Sequence, residues 1–212
     1  GIIEKKTTLP ILSNILIDAK DSTIRITATD LDIIYTEEIP LEGLKKVGTT
    51  TTSANVLYDI LRKLEPNSKV ELSLLNTNKL RLISGNSKFN LLCIEPDNFP
   101  LSNENMELKT FEIDSQKLLK LLNKSKISIS NDETRHYLNG IYLHKTNLES
   151  KTFLTGVATD SHRLSSSSLE IDSKTDFESI ILPKKTIFQL ISLLEQNTNI
   201  IKISNNKSKI QF

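Results

Sequence analysis

Leu12-Ser13-Asn14-Ile15-Leu16-Ile17 and Leu138-Asn139-Gly140-Ile141-Tyr142-Leu143 are two versions of one pattern, 126 residues apart at positions 12 and 138. Ala28-Thr29-Asp30 returns as Ala158-Thr159-Asp160 at a spacing of 130 residues, read from positions 28 and 158. This second spacing then stays constant, so that residues 57–61, 64–65 and 79–82 align with residues 187–191, 194–195 and 209–212. A constant register over about eighty residues indicates an internal duplication, with a period far too long for a solenoid. The sequence therefore predicts two tandem domains of similar fold.

Hydrophobic periodicity predicts the same order of elements in both copies, and hence an α+β fold. The four residues that change the spacing from 126 to 130 are assigned to a longer turn in the second copy, at residues 145–151. Ser53 and Asp114 are suitable N-caps, and Pro183 suits a first helical turn. The predicted helices are 54–64, 115–124 and 183–194, and the predicted strands are 13–18, 23–29, 70–74, 80–84, 89–93, 140–144 and 152–159.

The register of the repeat also predicts which elements each copy lacks. Gly1 aligns with Ile127, so the first copy has no counterpart of residues 111–126, which are predicted as a strand and a helix. Phe212 aligns with Leu82, so the second copy has no counterpart of residues 83–101. We therefore expect the chain to be truncated at both ends.

The composition limits the classes of protein to which the chain can belong. No run of about 18 apolar residues is present, and residues 1–6 lack the apolar core of a signal peptide. One cysteine, Cys93, cannot form an intramolecular disulfide, which fits the reducing cytoplasm. One cysteine and three histidines also make a structural zinc site improbable, and no cofactor is predicted. The net charge of +1 favours neither a nucleic-acid binder nor an unrelated function.

Four sequence blocks resemble the β subunit of bacterial DNA polymerase III, the β sliding clamp. They are Thr8-Leu9-Pro10-Ile11-Leu12-Ser13-Asn14, Ala28-Thr29-Asp30-Leu31-Asp32, Arg135-His136-Tyr137-Leu138-Asn139-Gly140 and Ala158-Thr159-Asp160-Ser161-His162-Arg163-Leu164. The resemblance implies a DNA clamp fold, in which each of three domains has helices on one side of curved antiparallel sheets. It also implies a homodimer that closes head to tail around duplex DNA. This chain would hold the first domain at 1–108, lacking its first strand and helix. The second domain would lie at 109–212, lacking its C-terminal strands, and the third domain would be absent.

The resemblance further implies a processivity factor that is not an enzyme and that binds partners through short linear motifs. The implied partners are the DNA polymerase III α subunit, the clamp loader, and other clamp-binding polymerases and repair proteins. Their motifs would enter a hydrophobic pocket formed by Leu138, Thr159, Ser161, His162, Arg163 and Leu164. The family usually carries glycine at the position of Ser161, so a hydroxymethyl group would narrow this pocket.

Contact with DNA is expected from basic and aromatic residues that do not read the base sequence. Lys117, Lys120 and Lys124 are spaced i, i+3 and i+7, which places them on one side of a helix. A solvated helix face is the alternative interpretation of this spacing. In the family such helices line the central hole of the ring. Ser192 stands there in place of a basic residue. His136 stands in place of a tyrosine, in a loop that touches DNA in the family. The implied DNA contacts are Lys6, Arg62, Lys117, Lys120, Lys124, Arg135, His136, Tyr137 and Lys185.

Two other functions remain open from the sequence. Asp160 and His162 are two residues apart and would share a face of a strand, as a hydrolase could require. However, neither a nucleophile elbow nor a glycine-rich phosphate loop accompanies them. A turn in which Asp160 accepts backbone hydrogen bonds is the structural alternative. The second function is a stand-alone DNA-binding module, in which the basic helices bind duplex DNA directly.

Overall fold

The computed structural model of the protein describes residues 2–3, 9–101, 109–132, 134–196 and 199–212. The chain divides into two compact units, Gly1–Asn103 (unit 1) and Glu104–Phe212 (unit 2). The described residues of unit 1 form β1 (Asn14–Lys20), β2 (Thr23–Thr29), β3 (Ile34–Pro40), β4 (Gly48–Ser53), α1 (Ala54–Leu61), β5 (Glu71–Asn76), β6 (Lys79–Ser84) and β7 (Ser87–Ile94). Those of unit 2 form β8 (Lys109–Asp114), α2 (Ser115–Ser125), β9 (Gly140–Leu148), β10 (Lys151–Thr159), β11 (Leu164–Ile171), β12 (Ile180–Pro183), α3 (Lys184–Glu195), β13 (Ile200–Asn205) and β14 (Ile210–Gln211).

The sheets of the two units repeat one topology. Unit 1 has a sheet in the order β3-β2-β1-β4-β7-β6-β5, and unit 2 has one sheet in the order β11-β10-β9-β12 and another in the order β14-β13-β8. The order β3-β2-β1-β4 is therefore repeated as β11-β10-β9-β12, and every described strand pair is antiparallel. The predicted α+β class with tandem domains is confirmed.

The first hairpin of unit 2 is longer than that of unit 1, but its turn is not. Lys20 pairs with Thr23 in unit 1, and Leu148 pairs with Lys151 in unit 2, so a two-residue turn closes each hairpin. The predicted longer turn at 145–151 is therefore wrong, because the four extra residues extend the two strands. A polar cross-strand pair stabilises the extension, since Thr152 Oγ1 donates to Asn147 Oδ1 at 3.0 Å. The added strand residues 145–147 are polar, so they show no apolar alternation.

Both predicted N-caps are present. Ser53 Oγ accepts a hydrogen bond from Val56 N at 3.5 Å, and Asp114 Oδ1 accepts one from Lys117 N at 2.9 Å. α1 ends at Leu61 rather than at the predicted residue 64. Beyond Leu61 the chain continues in tighter turns, because Lys63 N and Leu64 N donate to Ile60 O and Leu61 O, three residues back, at 3.0 and 3.2 Å.

The core of unit 2 lies between its helices and the β9–β12 sheet. Leu118, Leu122, Ile187 and Leu194 are buried there, which explains the helical spacing of these residues. Gly156 on β10 allows α2 to approach closely, because a Cβ atom at this position would lie 2.7 Å from Leu121 Cδ2. Ser125 completes the contact, since its Oγ donates to the carbonyl oxygens of Leu121 and Gly156 at 3.0 and 2.9 Å.

Unit 1 leaves surfaces exposed that are covered in unit 2. Its described residues contain no counterpart of β8 and α2. All six residues of β5 are exposed, whereas the corresponding strand β13 pairs with β8. Val56, Tyr58 and Leu61 on α1 are also exposed, whereas α3 packs against α2. Among the described residues, no helix has the length and apolar character that crossing a membrane requires.

Candidate functional site

The turn between β10 and β11, residues 159–164, is stabilised by its own side chains. Asp160 Oδ1 accepts hydrogen bonds from His162 N and Arg163 N, each at 3.0 Å. Thr159 Oγ1 accepts one from Ser161 N at 3.2 Å and donates one to Arg163 O at 2.7 Å. The two backbone N–H groups, with that of His162 contributing most, lower the pKa of Asp160. The expected structural role of Asp160 is confirmed.

Unit 1 contains the same turn at residues 29–34. Asp30 Oδ1 accepts hydrogen bonds from Asp32 N and Ile33 N at 3.1 and 2.7 Å, and Thr29 Oγ1 accepts one from Leu31 N at 3.0 Å. Leu31 has a φ of 83°, and Ser161 at the corresponding position has a φ of 78°. The backbone of the turn is therefore a property of the repeat, and the two copies differ in the side chains that they present.

The structure places five of the six predicted pocket residues on the 159–164 turn. Leu164 begins β11 opposite Thr159 and is 66% exposed, although it is a large apolar residue. Thr159 is half-buried, and the residues between them are exposed, apart from half-buried Asp160. The sixth residue, Leu138, is half-buried at the end of a short 3₁₀ turn, His136–Leu138, on a different loop.

Arg135 connects the loop at 130–138 with the 159–164 turn. Its Nε donates to Asp132 Oδ2 at 2.7 Å, and its Nη1 donates to Ser161 Oγ at 2.7 Å. We call this arrangement of Asp132, Arg135 and Ser161 the Arg135 bridge. Within the loop, Leu138 N donates to Arg135 O at 2.9 Å, so the bridge is continuous with the backbone that holds Leu138.

Sequence reasoning missed Asp132, although the spacing of Asp132 and Thr134 carries a signal. An aspartate commonly accepts a hydrogen bond from the backbone N–H two residues later. Here Asp132 Oδ1 accepts hydrogen bonds from Thr134 N at 3.0 Å and from Thr134 Oγ1 at 2.6 Å. The hydroxyl of Thr134, together with the guanidinium of Arg135, lowers the pKa of Asp132 to about 2.

We expect Asp132 to titrate well below an ordinary aspartate. Because its pKa is lowered in the folded state, the stabilisation it provides is complete above the unfolded pKa of about 4 and is lost as the pH falls toward 2. The carboxyl ¹³C shift of Asp132 should therefore stay constant down to about pH 3 and change at lower pH. A midpoint close to the ordinary aspartate value of about 4 would contradict the hydrogen bonds from Thr134 and Arg135 to this carboxylate.

α2 presents a basic face to solvent. Lys117, Lys120 and Lys124 are exposed, and the opposite side of the helix buries Leu118 and Leu122. α2 contains neither aspartate nor glutamate, so no carboxylate within the helix offsets this charge. α3 lies beside α2, and Lys126 Nζ lies 5.6 Å from the ring centroid of Phe188 on α3.

The other predicted DNA contacts have varied surroundings. Lys185 is half-buried at the start of α3, whereas His136 and Tyr137 are exposed on their loop. Arg62 is exposed in unit 1, with its Nε 3.5 Å from Asp59 Oδ1 and its guanidinium over the ring of Tyr58. Arg135 is held in the Arg135 bridge, and Lys6 lies outside the described residues.

Comparisons with known proteins identify one family over most of the chain. Residues 1–103 match the N-terminal domain of the DNA polymerase III beta subunit, and residues 112–212 match its central domain. The beta sliding clamp of Caulobacter vibrioides is 34% identical over all of this chain and 57% of its own length. That of Buchnera aphidicola is 35% identical over 99% of this chain and 56% of its own length.

Solved structures give the same result. The Caulobacter crescentus beta sliding clamp, with polyethylene glycol bound to a putative beta-motif tethering region, has a TM-score of 0.93 at 33% identity. A sliding clamp from Bartonella birtlesii bound to griselimycin has a TM-score of 0.92 at 36% identity. Each comparison covers 99% of this chain and 56% of the other, so the chain spans little more than half the length of these relatives. The chain belongs to the family of the DNA polymerase III beta subunit, the non-enzymatic sliding clamp of DNA replication.

Proposed function

We propose that the chain is the N-terminal and central part of a sliding clamp that acts as a processivity factor in the bacterial cytoplasm. Two copies of the whole protein would close head to tail into a homodimeric ring around duplex DNA. The ring would hold the replicative polymerase on its template. We place the boundary between the two clamp domains at residues 108 and 109. The observation that carries the proposal is the exposed Leu164 on a turn bonded to the loop of Leu138.

The sheet face that points away from the helices carries exposed apolar side chains besides Leu164. Side chains alternate between the two faces of a sheet, and Ile141, Leu143 and Leu182 are buried on the helix side. Tyr142 and Ile181 pair across β9 and β12 on the opposite face, where they are 43% and 40% exposed. Exposed apolar residues grouped in this way commonly mark an interaction site.

The occupant of this site would be a short linear motif. One or two hydrophobic side chains would contact Leu138, Thr159 and Leu164, with Ser161, His162 and Arg163 at the rim. Arg163 can donate to a backbone carbonyl or a carboxylate of the peptide, because a guanidinium carries five N–H donors. Motifs of this kind would come from the DNA polymerase III α subunit, the clamp loader, and other clamp-binding polymerases and repair proteins.

We expect Leu164→Ala to weaken binding of the C-terminal decapeptide of the organism's own polymerase III α subunit by about tenfold, because an anchor contact is lost. A titration that follows amide chemical shifts of the chain would measure the change. Ile34→Ala is a matched control, since Ile34 begins β3 opposite Thr29 just as Leu164 begins β11 opposite Thr159. Equal weakening by both variants, or shifts confined to unit 1, would rule out this site.

The basic face of α2 would contact DNA without reading its sequence. Lysine side chains contact phosphates through charge and release counterions, so the interaction weakens as the salt concentration rises. We propose Lys117, Lys120 and Lys124 as the main contacts in this part of the protein. Further contacts are proposed for Lys6, Arg62, Arg135, His136, Tyr137 and Lys185. A ring that slides requires weak contacts, whereas a stand-alone DNA-binding module would bind linear duplex tightly.

A further inference from the structure

Ser161 occupies a backbone conformation that is unfavourable for a residue with a side chain. Its φ of 78° lies in the left-handed region, which glycine enters without steric cost. Such conformations persist where the surroundings hold the residue in place, and they are concentrated at functional sites. Leu31 has nearly the same φ in the corresponding turn of unit 1, so the turn imposes the conformation on both residues.

The side chain of Ser161 makes a contact that a glycine could not make. Its Oγ accepts the hydrogen bond from Arg135 Nη1 at 2.7 Å, across 26 positions of sequence. Arg135 is itself oriented by the ion pair with Asp132 at 2.7 Å. The positive charge of Arg135 strengthens both interactions relative to neutral hydrogen bonds.

The loop that carries Leu138 is held by contacts within itself and by Lys184, whose N donates to Asn139 O at 3.0 Å and whose Nζ donates to Asn131 Oδ1. Ser130 N donates to Leu138 O at 3.1 Å, and Asp132 N donates to Ser130 Oγ at 3.1 Å. The loop is therefore closed on itself between residues 130 and 138. Among the described side-chain hydrogen bonds, the one from Arg135 to Ser161 connects this closed loop with the 159–164 turn.

We propose that Ser161 is a positioning residue for the peptide site, a role that rests on the proposed function. Through the Arg135 bridge it fixes the loop of Leu138 relative to the turn of Leu164. The two apolar side chains are then held at a constant separation before a peptide arrives. A preorganised site binds with a smaller loss of conformational entropy, so the bridge increases affinity without contacting the peptide's anchor side chains.

Two substitutions of Ser161 and one control separate the bridge from the backbone strain. Ser161→Ala removes Oγ and keeps the strain, whereas Ser161→Gly removes both. Leu31→Gly relieves the same strain in unit 1, where the described contacts of Leu31 are those of its own turn. We expect Ser161→Ala to raise amide hydrogen exchange at Leu138 and Asn139 about tenfold, as loss of one charge-assisted hydrogen bond implies.

The same variants are then titrated with the polymerase III α decapeptide. We expect roughly fivefold weaker binding for Ser161→Ala and Ser161→Gly, and unchanged binding for Leu31→Gly. Arg135→Ala should weaken binding to a similar extent. The double variant Arg135→Ala/Ser161→Ala should weaken it little further, because both substitutions break the same hydrogen bond. Additive losses would instead assign the two residues separate roles.

Three results would overturn the proposal. Unchanged exchange at Leu138 and Asn139 in Ser161→Ala would show that Ser161 does not hold the loop. Faster exchange with full peptide affinity would show that the loop's position does not matter for binding. A wild-type chain that fails to bind the peptide would remove the site itself and with it the role of Ser161. Exchange is measured without peptide, so this last failure is distinguishable from failure of the bridge.

Discussion

Alanine at position 140 is expected to lower the free energy of unfolding of unit 2 by about 3 kcal/mol, at the upper end of the usual cost of overpacking. A Cβ atom on Gly140 would lie 2.2 Å from the carbonyl oxygen of Leu182 and 3.0 Å from Cγ2 of Ile181. The oxygen belongs to backbone and cannot rotate away as a side chain can. β12 would have to move away from β9. This movement would disrupt the pairing of Gly140 with Pro183 and of Ile141 with Leu182.

The effect should be confined to unit 2 and to this position. Urea unfolding followed through amide signals of each unit would measure it, since the chain contains no tryptophan for fluorescence. Gly48→Ala is the control, because a Cβ atom on Gly48 would have nothing within 4 Å. We expect that control to change stability by less than about 0.5 kcal/mol. Equal effects of the two substitutions would show that the contact with Leu182 can relax at little cost.

This glycine illustrates what the sequence could predict. The repeat located Gly140 at the start of a strand, because Leu138-Asn139-Gly140 aligns with Leu12-Ser13-Asn14. Asn14 occupies that position in unit 1 at the start of β1. The pattern therefore predicted the strand, but the close approach of Leu182 depends on β12, four residues long and not predicted. A strand this short shows too few alternations to be recognised from hydrophobicity.

The candidate site also combines features that the sequence could predict with one that it could not. The 159–164 turn could be anticipated, because Asp160 has the residue type that accepts nearby backbone hydrogen bonds. The basic face of α2 could also be anticipated, because the helical period alone places Lys117, Lys120 and Lys124 together. The hydrogen bond from Arg135 to Ser161 could not, since its partners are distant in sequence and meet only when β9, β10 and the loop are assembled.

Replacing Lys117, Lys120 and Lys124 together by glutamine is expected to weaken binding of duplex DNA about a hundredfold at 50 mM salt. Each lysine that neutralises a phosphate releases a counterion, so the plot of log K against log salt should become shallower by about 0.9 per lysine lost. Loss of all three contacts would therefore make this negative slope less steep by between about 2 and 3. Fluorescence anisotropy of a labelled duplex, measured between 20 and 200 mM salt, would give both quantities.

A matched triple substitution tests whether position matters or only net charge. Lys151, Lys174 and Lys207 are exposed in the same unit but lie outside α2, on or beside strands. Their replacement by glutamine also removes three positive charges. It should change the affinity for duplex DNA less than about threefold, because only the long-range electrostatic field of the protein is altered. Similar losses from both triple variants would show that DNA responds to overall charge. A large loss from the α2 variant alone, independent of DNA sequence, would assign the phosphate contacts to this helix.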